Sequence, residues 1–102
     1  MKPKNQLPLS LAIRIGAQRR PQVIRSMAEY IERSPHCTMS GSCALGAAYE
    51  EGFPIYSIDH TWKCIHPVTN INSFVDITIT SLNDNFKWSR EQIAAWLESI
   101  GL

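Results

Sequence analysis

Phe74-Val-Asp-Ile-Thr-Ile-Thr80 is the stretch that decides the fold class of this chain. Val75, Ile77 and Ile79 alternate with Asp76, Thr78 and Thr80, and β-branched residues fill the run, which is a strand signature. Set among its neighbours, the same stretch reads differently. Ile71, Val75, Ile79 and Leu82 form a stripe at helical spacing, with Asn72 or Ser73 placed to cap it. A helix here makes the chain mainly α, and a strand makes it α+β. Periodicity alone supports both.

Downstream the signals agree with one another. Asn83-Asp84-Asn85 is a turn, because short amide and carboxylate side chains bond their own backbone and tolerate left-handed conformation. Ser89 then caps a helix, and Gln92 three residues on completes a capping box. Trp88 and Ile93 occupy the two ends of a hydrophobic staple. Ile93, Trp96, Leu97 and Ile100 recur at helical spacing, and Gly101 stands where a helix C-terminus wants glycine.

Upstream, Phe53 to Asn72 carries two prolines and little period, and a short two-stranded element around Ile55 to Ile65 fits it. Before it, Ser42 is placed to cap a third helix, Cys43 to Glu51, closed by Gly52. That helix is rich in small residues (Ala44, Gly46, Ala47, Ala48), so close approach to a neighbour is expected, with Gly46 at the tight contact. His36 to Gly41 reads as a polar loop. A second helix is expected from Gln22 to Arg33, where Ile24, Met27, Ala28 and Ile31 share a face and Arg25, Glu29 and Arg33 line another. Ser34-Pro35 ends it. Leu9, Ala12, Ile13, Gly16 and Ala17 make a first helix behind Ser10, stopped by Pro21. Residues 1–8 form a loose lead-in, and residues 9–102 one globular domain.

With 102 residues, 44% hydrophobic and nine aromatics, the chain can build a core and is not a disordered tail. No stretch approaches the ~18 apolar residues of a membrane-spanning helix. The opening residues lack the apolar run of an export signal, and three cysteines are too few for a disulfide scaffold, so a cytoplasmic protein with reduced thiols is expected.

Cys43-Ala-Leu-Gly-Ala-Ala48, Leu82-Asn-Asp84 and Trp88-Ser-Arg-Glu-Gln-Ile-Ala-Ala-Trp-Leu97 resemble a group of small bacterial and phage-encoded proteins. The opening Leu11-Ala-Ile-Arg-Ile-Gly-Ala17 and Arg20-Pro-Gln22 are similar to that group's N-terminal segment. The resemblance implies helix over Asn72 to Leu82 and no particular chemistry. Some members carry paired cysteines in the middle segment, where this chain has only Cys64, followed by Ile65-His66-Pro67.

Four constellations could carry function. Cys43, in the first turn of a helix, would face unpaired N–H groups that favour a thiolate, and His36, His60 or His66 could serve as its base. The plain alternative is a small buried residue among alanines. Cys37, Cys43, Cys64 and His66 offer sulfur and nitrogen donors for a zinc ion, although their spacings are not those of a zinc knuckle. Asp84 could act in a site, or merely turn the chain. Finally, residues 1–33 hold seven Lys and Arg against two Glu, a net +5, whereas residues 34–102 carry three against seven, a net −4. Arg14, Arg19, Arg20 and Arg25 could therefore meet an acidic protein or nucleic acid, or dock on the acidic second half.

The reading that results is a mainly α domain of about five helices, with Ile13, Ile24, Met27, Ile31, Leu45, Ala48, Val75, Leu82, Ile93, Trp96 and Leu97 as core. A non-enzymatic interaction or regulatory protein is expected, binding a protein through the basic N-terminal helical surface, with no cofactor, no membrane and no specified oligomeric state. Nucleic-acid binding, a Cys43-dependent enzyme and a zinc site are the alternatives.

Overall fold

The computed structural model describes residues 7–19, 21–23, 28–33, 36–58 and 60–102, with 28–33, 36–42, 56 and 57 as backbone only. Its elements run α1 (Leu9–Ala17), β1 (Ala28–Arg33), β2 (His36–Ser42), α2 (Ala44–Glu50), a 3₁₀ turn (Ile55–Ile58), β3 (Lys63–Ile65), β4 (Asn72–Phe74), α3 (Val75–Asp84) and α4 (Arg90–Ser99). Each strand pair is a separate antiparallel ribbon, β1 with β2 and β3 with β4. The described fold is thus mainly helical, with four α-helices where about five were expected.

The missing helix is the second. Residues 28–33 are a strand, and the expected polar loop at 36–41 is its partner, with Arg33 opposite His36 and Tyr30 opposite Met39. A twelve-residue helix with one apolar stripe is marginal without packing. Here Tyr30 and Ile31 favour extended backbone, and a partner strand two residues away satisfies the main chain locally. A register shift between Glu29 and Tyr30 marks a bulge.

The ambiguous stretch resolves as α3, beginning at Val75. Val75, Ile79 and Leu82 are buried, whereas Ile77, the residue that strand alternation would have placed with Val75 and Ile79, is exposed. The helical stripe buries three large side chains against α2 and α4, which alternation could not do. Neither Asn72 nor Ser73 caps α3. Both lie in β4, and Phe74 takes the N-cap position without a side-chain bond. The expected ribbon near Ile55 to Ile65 comes later in the chain: Ile55–Ile58 is the 3₁₀ turn, and Lys63–Ile65 pairs with Asn72–Phe74.

Helix α4 forms as its signals require, with both bonds of the Ser89–Gln92 capping box present. Gly101 has φ +87°, the left-handed conformation that ends the helix without a Cβ penalty. Helix α1 packs between α2 and α4. Its tight contact is at Gly16, where a Cβ would fall 2.1 Å from the Ala47 carbonyl oxygen. The small residues of α2 therefore admit a neighbouring glycine.

Leu9, Ala12 and Ile13 from α1, Ala44 and Ala48 from α2, and Ile93, Ala94 and Leu97 from α4 join Val75, Ile79 and Leu82 in one core. Phe53, Ile55 and Ile58 close its edge. Of the expected core, Leu45 and Trp96 sit at its margin; Ile24 and Met27 and the side chain of Ile31 lie outside the described residues.

Candidate functional site

The chemistry-bearing residues of the described structure gather in two places, a buried polar junction between α1, α2 and α3, and the face of β3 against α3. The junction is built on Asn83, which is 1% exposed. Expected as a turn residue, it sits in the last turn of α3 and bonds in four directions. Its Oδ1 accepts from Ala44 N at 3.2 Å and from Gln22 Nε2 at 2.7 Å. Its Nδ2 donates to Val23 O at 2.9 Å and to Asp84 Oδ1 at 2.8 Å. Gln22 also donates to Trp88 O at 2.8 Å. The Asn83 amide thus ties the segment after Pro21 to the start of α2, and Gln22 carries the link on to the approach to α4.

Cys43 lies beside this junction as the N-cap of α2, a place expected for Ser42, and its Sγ accepts from Gly46 N at 3.4 Å. The amides of Gly46 and Leu45 favour the thiolate, but burial is the larger effect and pushes the thiol pKa up. The nearby Asp84 carboxylate pushes the same way. Desolvating an anion next to another anion outweighs a one-turn helix field. Arg90, 8% exposed, donates from Nη2 to Ala17 O at 3.2 Å, and burial lowers its pKa from the ordinary guanidinium value. Its positive charge faces Cys43, yet the net balance at the sulfur still disfavours ionisation.

At the second place, Cys64 of β3 meets Thr78 and His66, one residue past β3, meets Ser81, three residues further along α3. Cys64 Sγ lies 3.3 Å from Thr78 Oγ1. His66 Nε2 lies 3.1 Å from Ser81 Oγ, the spacing of a serine–histidine pair. The other ring nitrogen excludes that use. His66 Nδ1 accepts from Val68 N at 3.1 Å and Thr69 N at 3.3 Å, so it carries no proton. The proton is therefore on Nε2 and is donated to Ser81, the wrong direction for a general base. The ring holds the β3–β4 connection in place, with Phe86 against it at 5.3 Å.

The remaining expected residues are dispersed. His60 is exposed, with φ +50° and its ring 5.5 Å from Phe74. His36 and Cys37 lie at the start of β2, with side chains outside the described residues. Among the described residues, no three His, Cys, Asp or Glu side chains converge to hold a metal ion. Cys43 and Cys64 are free thiols.

Arg14 and Arg19, expected on a contact surface, are engaged within the fold. Arg14 bridges Glu91 at 2.8 Å and Glu98, one helical face of α4. Arg19 meets both oxygens of Glu51, at 2.6 and 3.2 Å. These bonds raise both guanidinium pKa values. Arg20 and Arg25 lie outside the described residues. The basic first third thus docks in part on the acidic remainder.

Gln22 and Arg90 did not stand out in the sequence, and Asn83 stood out only as a turn residue, because their partners are distant in it. A cleft of about 570 Å³ between β3 and the end of α4, lined by Trp62, Lys63, Ile65, Ile100 and Leu102 among others, was equally silent. No helix among the described residues is long and apolar enough to cross a membrane. No family model matches the chain, and neither curated proteins nor solved structures give a match.

Proposed function

We propose that this chain is a non-enzymatic binding protein that engages a protein partner through the β1–β2 ribbon and the basic segment leading into it. The observation that carries the reading is the commitment of Cys43 and His66 to hydrogen bonds within the fold. Cys43 Sγ accepts from Gly46 N and burial raises its pKa, and His66 Nδ1 accepts from two backbone amides. Neither retains the freedom that nucleophilic catalysis needs. The ribbon supports the location of the contact. Its two strands pair with each other, and its main packing against the rest of the described fold is β2 on α2. A two-stranded ribbon leaves main-chain donors and acceptors along its edges, which is how extended partners add a strand.

Alkylation of the intact protein with iodoacetamide across pH tests the non-enzymatic reading. Cys43 is expected to react slowly at neutral pH and to gain rate only above the usual thiol range. Fast modification at pH 7, indicating a stabilised thiolate, overturns it. Nucleic acid is the competing partner, since a ribbon also fits a major groove. Arg14 and Arg19 being tied to carboxylates counts against it. A short duplex DNA in an electrophoretic shift series should show no retardation at low salt; retardation that fades as salt rises would replace the protein reading.

A further inference from the structure

We propose that the cleft between β3 and the C-terminal end of α4 binds a small amphiphilic carboxylate, with its apolar body against Trp62, Ile65 and Ile100 and its head group on Lys63. The cleft's volume of about 570 Å³ lies in the usual range for small-molecule sites. Its walls are apolar and left open to solvent: Ile65 is 59% exposed and Ile100 44%. Covering such side chains removes apolar surface from water and supplies most of the affinity of a small ligand.

Charge selects the head group. Lys63 is the cation of the lining, and among the described residues it has no ion pair, in contrast to Arg14 and Arg19. Trp62 lines the same cleft beside it. An ammonium is purely a donor, and a carboxylate offers it two acceptor oxygens and the opposite charge.

The walls are already in position. Trp62 is held edge-on to Phe53 at a ring separation of 6.3 Å, and its carbonyl accepts from Val75 N at 2.7 Å. Leu102 is anchored by its N–H on Leu97 O at 2.9 Å and by Ser10 N on its own oxygen at 3.1 Å. A site built before the ligand arrives has little ordering cost. The site is separate from the ribbon of the preceding proposal and does not depend on it.

Sodium octanoate and octan-1-ol are the probes, titrated into the full chain by calorimetry and by ¹⁵N and methyl NMR. Octanoate should bind and shift the Trp62 ring and the Ile65 and Ile100 methyl resonances, with octanol weaker by about fivefold or more. Lys63→Met should weaken octanoate about tenfold, the effect of losing one charge-assisted contact, and leave octanol unchanged. Lys63 is exposed, so this variant keeps the fold. Ile65→Asp should abolish both. No octanoate binding at millimolar concentration, equal affinity for the alcohol, or an unaltered affinity in Lys63→Met each overturns the proposal. So does a second copy of the chain occupying the cleft, which would exclude both probes.

Discussion

The α1–α2–α4 layer and the β3–β4 ribbon handle the same residue types in opposite ways. In the layer, aliphatic side chains are buried and arginines find carboxylates: Ile13, Ile93 and Leu97 have no exposed surface, while Arg14 and Arg19 pair with Glu91, Glu98 and Glu51. On the ribbon and at the foot of β4, Ile65 and Ile71 are 59% and 65% exposed, and Lys63 has no ion pair among the described residues. The difference teaches where stability resides and where a ligand would act. Apolar surface in the layer already contributes to folding, whereas apolar surface on the ribbon can still contribute to binding.

Substitutions can break that contrast. The largest effect is expected from Gly16→Ala, because the new Cβ would lie inside the van der Waals radius of a backbone oxygen that only helix displacement can move. A loss upwards of about 3 kcal/mol in denaturant unfolding is expected. A near-neutral variant would mean that α1 and α2 are not in close contact. Asn83→Ala comes next. It strands the Ala44 amide, the Val23 carbonyl and the Gln22 amide together, at a cost of about 2 kcal/mol. The same variant should bring the amide of Ala44 into faster hydrogen exchange, and unaltered protection there would remove Asn83 from the junction.

Ser89→Ala deletes the cap of α4 and should cost about 1 kcal/mol, a drop of roughly 4–8 °C in Tm. Smallest of all should be Ile65→Thr and Ile71→Thr. These exposed positions suit a β-branched residue, and each substitution should shift stability by no more than about 0.5 kcal/mol. A loss well above 1 kcal/mol at either would show that the ribbon's isoleucines hold the fold, and the contrast with the layer would fail.

Legibility followed the range of the interactions. Helix α4 was readable because its cap, staple, stripe and terminal glycine lie within fourteen residues and all act on the same backbone. The spans of α1 and α2 were readable from their side-chain pattern, but Ser10 does not cap α1: the helix starts at Leu9 with Pro8 at the N-cap position, and Ser10 is buried within it. The β1–β2 ribbon was not. Its strands carry apolar residues that fit a helical stripe on paper, and only pairing with residues 36–42 converts Tyr30 and Ile31 into strand positions. Asn83 looked like a turn former because its sequence neighbours are polar. Its partners Gln22 and Ala44 lie 61 and 39 residues away, beyond any local pattern. Cys43 was placed correctly at a helix start, where the helix field alone favours a thiolate and a small buried residue among alanines was the plain alternative. Burial, a property of the whole packing, reversed the direction.

By itself, the amino-acid order determined the last helix, its glycine terminator and the split of charge between the two parts of the chain. Capping bonds, side-chain periodicity and charge counts act within a few residues or need no geometry at all. Tertiary structure decided the rest. It turned the second helix into a ribbon, made 75–84 a helix by offering α2 and α4 as partners for its apolar stripe, and joined Arg14 to Glu91 and Glu98. It also drew Trp62, Lys63 and Ile65 beside Ile100 and Leu102. Those outcomes depend on which distant surfaces meet, since burial and pairing free energies belong to contacts in space and have no counterpart in local sequence.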